Sequence, residues 1–142
     1  MAEQNYKNHS RLSSGYHGVT LGLIVIFVVG SIRYLVREET ADKYPAVLFV
    51  LLSVILLLLF VFIRSFALKA QDRAIRAEES LRYFILTGKR LDPSLRVGQV
   101  IALRFASDEE LPALAERALR EQLGNKQIKE AIKSWRADYH RV

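Results

Sequence analysis

The residues of this sequence whose types could do chemistry are three histidines and a run of three acids. Asp108, Glu109 and Glu110 stand side by side, and such carboxylates suit a hard cation or acid–base exchange. They also open an apolar-periodic segment, where negative charge favours the helix macrodipole, and this plainer reading is preferred. His9, His17 and His140 are too scattered to predict a shared metal, and none lies deep in an apolar run where it could face another across a haem. The chain has no Cys, which removes disulfides, thiolate nucleophiles and Cys-ligated zinc or iron–sulfur centres. No Gly-rich phosphate loop or Ser, His and Asp arrangement follows a strand, because no convincing strand pattern exists. The expectation is a chain with no catalysis of its own, no cofactor, no metal and no small-molecule substrate.

The elements that carry these residues are of two kinds. Hydrophobic residues make up 51% of the 142-residue chain and charged residues 25%, and the two are segregated. The aliphatic excess lies between Val19 and Ile63, and of the 21 Lys and Arg residues all but Lys7, Arg11, Arg33, Arg37 and Lys43 follow it. Residues 45–63, PAVLFVLLSVILLLLFVFI, carry no charge, and at 1.5 Å per residue they reach roughly 28 Å, about one hydrocarbon core. Pro45 suits the first helical position, where its missing N–H has no partner to lose. The earlier run from Val19 to Ile32 is short for a span, but Tyr16 and Tyr34 suit the headgroup belt and Arg33 can snorkel, giving a span over 16–36. A cleaved signal peptide and a re-entrant segment are the rival readings of this run. The first meets a poor small-residue cleavage pattern around Val28, Val29 and Gly30.

Neither span holds an Asp, Glu, Lys, Arg or His in its interior, the residues that mark ion paths and proton relays in membranes. A role in transport therefore needs another subunit to supply the pathway. The first span does carry Gly18 and Gly22 in a spacing that lets helices approach closely, either against the second span near Ser53 or against a partner span or another copy.

From Pro45 to Gly88 there is no Gly or Pro, so the second span is expected to continue over 64–87 as one helix. Along that continuation Ala67, Ala70, Ala74, Ala77, Leu81 and Phe84 alternate by three and four, a narrow stripe that asks for a close neighbour. The neighbour is either the chain's own tail, another copy or a partner. Asp72 with Arg76, and Glu78 with Arg82, have the spacing of supportive helix pairs. Arg64, Lys69, Arg73 and Arg76 are read as topology determinants that touch lipid phosphates.

The remaining residues, 88–142, form a small three-helix region. A first helix supplies Val97, Val100, Ile101 and Phe105. The second starts at Ser107 and Glu110 in capping-box spacing, has Pro112 just past its first turn, and ends at Gly124. The third puts Ile128, Ala131, Ile132, Trp135 and Tyr139 on one face and Lys126, Lys129, Lys133 and Arg136 on another. That basic face lacks any nucleic-acid recognition motif, and nucleic acid is not an expected partner. About 55 residues make a marginal domain, so this tail is expected to lean on the long helix or on a partner.

The segments QNYKNH from Gln4, LKAQDRAIRAEE from Leu68, LDP from Leu91, IALRFASDEE from Ile101 and IKSWRADYHRV from Ile132 resemble a domain-of-unknown-function family of small two-span bacterial membrane proteins. The resemblance implies a bacterial inner-membrane location; some relatives carry a transporter-permease label. The fold class expected is an all-α membrane protein. It has an N-terminal segment over 1–15, a transmembrane hairpin of 16–36 and 45–63 joined by a loop over 37–44, a cytoplasmic extension over 64–87 and the helical tail. The expected partners are membrane lipid and other membrane subunits or a second copy. The expected function is a non-catalytic accessory or scaffold subunit of an inner-membrane complex, with a self-associating module that recruits a soluble partner as the alternative and a transporter component behind both.

Basic residues near the span ends resist translocation, and Lys7, Arg11, Arg64, Lys69, Arg73, Arg76 and Arg82 outweigh Arg33, Arg37 and Lys43 in the linker. Both ends should face the cytoplasm. A C-terminal reporter active only outside the cytoplasm is therefore expected to stay silent, and activity there reverses the orientation.

Overall fold

The computed structural model describes residues 13–37 and 42–138; His9, Tyr139, His140 and the middle of the predicted loop lie outside these. Among the described residues every regular element is a helix, and the chain forms two compact units, Arg11–Ala67 and Leu68–Val142. Helix α1 is Leu21–Val36, α2 Tyr44–Thr87, α3 Val97–Leu103, α4 Leu111–Arg120 and α5 Asn125–Ala131.

In the first unit, a π-helical segment over Ser14–Thr20 leads into α1, and together they run 23 residues. Both this helix and α2 are long and apolar enough to cross a membrane. Their contacts are antiparallel. The Tyr16 ring stacks on Phe60 at 4.3 Å, and farther along Phe27 and Tyr34 both meet Phe49, at 6.3 and 6.0 Å. Between these ring contacts Ser31 and Ser53, both buried, come within 3.2 Å. The C-terminus of α1 is held by Lys43, whose ammonium donates to the carbonyls of Leu35 and Arg37, a cation placed where the helix carbonyls are unsatisfied.

One helix spans Tyr44–Thr87, about 66 Å at 1.5 Å per residue. It stops at Gly88, whose φ of 69° belongs to the left-handed region that glycine enters freely, and whose N–H donates to the Phe84 carbonyl at 2.8 Å.

The core of the second unit joins Tyr83 of α2 to Leu95, Val100, Leu103, Leu111, Ala118 and Ile128. Helices α3 and α5 begin by the same device: the N–H of Arg96 is accepted by Gln99 Oε1, and that of Gly124 by Gln127 Oε1, each three residues on. Gln99 then donates its amide to the Leu123 carbonyl at 2.9 Å, which spends a buried polar side chain on joining two loops. Gly98 lets α5 approach, since a Cβ there would collide with the Asn125 side chain.

Three expected boundaries move. Helix α4 starts at Leu111 with Pro112 inside its first turn, because residues 108–110 form a separate turn after Ser107. It ends through Gln122, which adopts a φ of 52°, while Gly124 instead opens α5. The predicted third helix stops at Ala131, since the N–H groups of Lys133 and Ser134 donate to the Glu110 carboxylate at 3.2 Å rather than to carbonyls one turn back. The chain after it bends at Lys133 and Ser134, and Trp135 reaches the core through an isolated antiparallel bridge to Ala106 and a 4.5 Å stack on Phe105.

Burial raises the pKa of the Tyr83 phenol, and the carboxylates of Glu116 and Asp92 raise it further. The folded state therefore favours the neutral phenol. Its contribution is complete below the unfolded value of about 10 and is lost as pH rises through the raised folded value. Absorbance titration should show a late-ionising phenol that Tyr83→Phe removes. Over that alkaline window the stability of the wild-type second unit should fall more steeply than the variant's.

Candidate interaction surface

Two faces of α2 within the second unit have different fates. Ile75, Glu79 and Tyr83 are buried, with relative exposures of 8%, 8% and 7%. At 100° per residue they lie roughly opposite the stripe of Ala70, Ala74, Ala77, Leu81 and Phe84. That stripe is exposed throughout; Leu81 retains 60%, Phe84 50% and neighbouring Ile85 72% of their surface. The chain's own tail therefore takes the other side of the helix, which corrects the expectation that it could cover the alanines. Ala67, at the edge of the first unit, is exposed as well.

The choice of side is made by charge. Arg82, with 11% of its side chain exposed, donates to Glu79 at 2.9 Å, to Asp108 at 2.7 Å and to the Ala106 carbonyl at 2.8 Å. Arg136 stands 4.0 Å from the second Glu79 oxygen. The expected i,i+4 pairing of Glu78 with Arg82 is thus replaced by bonds into the tail. Arg76 likewise leaves Asp72 for the Pro93 carbonyl at 3.1 Å. In each case the guanidinium fork finds backbone acceptors that a one-turn pairing cannot offer.

The acidic run is dispersed among structural tasks. Asp108 pairs with Arg82, Glu109's own backbone N–H and then the Ser107 hydroxyl hold the Glu109 carboxyl below its usual range, and Glu110 fastens residues 133 and 134. Beside them, a cleft of about 360 Å³ is lined by Ile75, Glu78, Glu79, Arg104, Arg136 and Asp138. Its charges largely satisfy one another: Arg104, nearly buried, pairs with Asp138 at 3.0 Å and lies over the Phe105 ring. Arginine cannot give up its proton near neutral pH, so Arg104 and Arg136 act there as fixed positive charges. Sequence reading missed Glu79, Arg104 and Asp138, and the 26-residue separation of Arg82 from Asp108 leaves no periodic trace.

The other expected positions are also placed. A Cβ added at Gly18 or Gly22 would meet nothing within 4 Å, so these glycines are not where α2 approaches; the serine pair is. His17 sits edge-on to Tyr16, with its Nδ1 3.1 Å from the Ser13 carbonyl. Of the four basic residues assigned to lipid, Lys69 and Arg73 are exposed and Arg64 and Arg76 half-buried. The basic face expected of the third helix is divided: Lys126 pairs with Glu130, Lys129 lies over Phe105 and Arg136 turns to Glu79.

A family of unknown function (DUF6526) matches the chain over residues 1–142. No curated protein and no solved structure matches it.

Arg82→Met is expected to lower the stability of the second unit by about 3 kcal/mol, because it leaves the buried Glu79 carboxylate without its nearest cation. Glu79→Gln should cost less, since Arg82 keeps Asp108. Denaturation followed by the fluorescence of Trp135, the single Trp, reads both.

Proposed function

The chain belongs to the DUF6526 family of unknown function along its whole length, and from its own residues we propose that it is a non-catalytic accessory or scaffold subunit of a bacterial inner-membrane assembly. The observation that carries the reading is the contrast between its two units. In the first, only 11% of the most apolar stretch of each long helix is buried, and most of its Val, Leu, Ile and Phe side chains are exposed, which water does not tolerate on this scale. The second has an apolar core and a charged exterior of the kind a soluble domain has.

In this reading α1 and the apolar part of α2 form a two-span hairpin with both ends in the cytoplasm. Arg64 and Lys69 lie at the inner leaflet, where each basic side chain near the surface contributes about 1 kcal/mol against anionic lipid, and Arg73 and Arg76 follow farther along the helix as topology determinants. The outward-facing Gly18 and Gly22 offer a surface to a neighbouring span. The uncovered face of α2 favours a second reading, a self-associating tethered module whose tail recruits a soluble partner. A transporter component is the weaker alternative, since the apolar segments hold no ionisable side chain for a pathway.

Alkaline carbonate washing should leave the protein with the membrane fraction. Gentle-detergent purification followed by mass spectrometry should then return a stoichiometric set of membrane subunits. Release into the wash defeats the membrane reading, and a lone monomer defeats the scaffold reading.

A further inference from the structure

Over residues 68–87, helix α2 presents a face that its own tail leaves open, and that face follows a heptad. Ala70, Ala77 and Phe84 occupy the d positions, and Ala74 and Leu81 the a positions. The buried Ile75, Glu79 and Tyr83 fall at b, f and c, on the far side. Alanines by themselves name no partner. The flanking charges do: in the same register Arg73 is a g residue and Glu78 the e residue five positions on. Both are exposed, and neither is held by another side chain among the described residues.

We propose that this face seats the same face of a second copy of the chain, with the two α2 helices parallel and in register. In a parallel pair each g residue meets the e residue of the following heptad on the partner helix, so Arg73 of either copy faces Glu78 of the other, twice by symmetry. An antiparallel pair would instead oppose g to g and e to e, so that Arg73 and Glu78 would not meet. The alanines let the backbones approach closely. Leu81, Phe84 and Ile85, 50% to 72% exposed in one copy, supply the apolar area at the far end. The direction of pairing rests on the membrane reading above, because two copies inserted the same way carry their helices the same way. Confinement to the bilayer also raises the local concentration that a short seam requires.

The chain contains no Cys, so single cysteines report on this arrangement without background. Under mild oxidation in native membranes, Ala74→Cys and Ala77→Cys should each give a covalent dimer of twice the chain mass, because facing a or d positions fall within disulfide reach. Leu86→Cys, exposed but at an f position, should stay monomeric. Adding Arg73→Glu or Glu78→Arg to Ala74→Cys should cut the linked fraction roughly fivefold, as expected when two exposed attractive pairs become repulsive. Combining the two reversals should restore it.

Monomeric Ala74→Cys and Ala77→Cys, equal linking at Leu86→Cys, a linked species of any other mass, or no rescue by the double reversal each overturns the proposal. Carbonate washing separates this failure from that of the membrane reading. A protein retained in the membrane that does not link defeats only the pairing, whereas a protein released by the wash defeats the premise of co-orientation.

Discussion

The second unit depends on where one guanidinium group spends its donors. Arg82 gives one edge to Glu79 on its own helix and the other to Asp108 and the Ala106 carbonyl, tying α2 to the segment between α3 and α4. With little solvent around it, the group needs these acceptors as much as they need it. Tyr83, next to Arg82 in sequence, then enters the core beside Leu95 and Ala115, so charge and apolar burial select the same side of the helix. The opposite side, with its alanines, Leu81 and Phe84, is open because of that selection.

The region after α4 shows how a small core can be closed without another helix. Glu110 accepts from two consecutive N–H groups, which a continued helix would have directed to its own carbonyls. The released chain lies alongside residues 105–107, where Arg136 N–H donates to the Phe105 carbonyl at 2.7 Å and Ser107 N–H to Ser134 at 3.1 Å. Phe105, fully buried, is thereby covered by the Trp135 ring. Two dozen residues of sequence separate Glu110 from the amides it holds, and the whole arrangement is that of a strap rather than a helix packed on its apolar face.

What the sequence made legible was whatever depends on runs and periods. The two apolar helices, the unbroken passage to Gly88, the stop there and the buried Val100, Phe105, Leu111 and Ile128 all follow from composition, from the absence of Gly and Pro, or from 3.6-residue spacing. The tail boundaries were less legible. Ser107, Pro112 and Gly124 are sound local signals, but residues 108–110 turn separately and Gln122 adopts the left-handed conformation that Gly124 was expected to supply. Ile132 and Trp135 keep helical spacing in a segment that is not helical, because a carboxylate remote in sequence competes for their backbone. The alanine stripe was visible as a pattern, yet its exposure was not, since that is decided by the long-range bonds of Arg82. Glu79 illustrates the same limit: nothing distinguishes it from Glu78 until the tail arrives.

The serine pair between α1 and α2 has a consequence of a different kind. Ser31 already donates to the Phe27 carbonyl at 2.7 Å and Ser53 to Phe49 at 2.8 Å, each within its own helix. Their mutual approach at 3.2 Å is therefore an added contact and not the sole satisfaction of either hydroxyl. Drawing the helices apart at mid-length strands no polar group, so in an apolar solvent the barrier there is set by side-chain packing alone. The hairpin is fastened at that level only as firmly as its rings and methyl groups fit. At that level either helix can trade its neighbour for another helix of similar shape, and the bond that holds the pair lies toward the other end, where the Tyr16 hydroxyl donates to the Phe60 carbonyl.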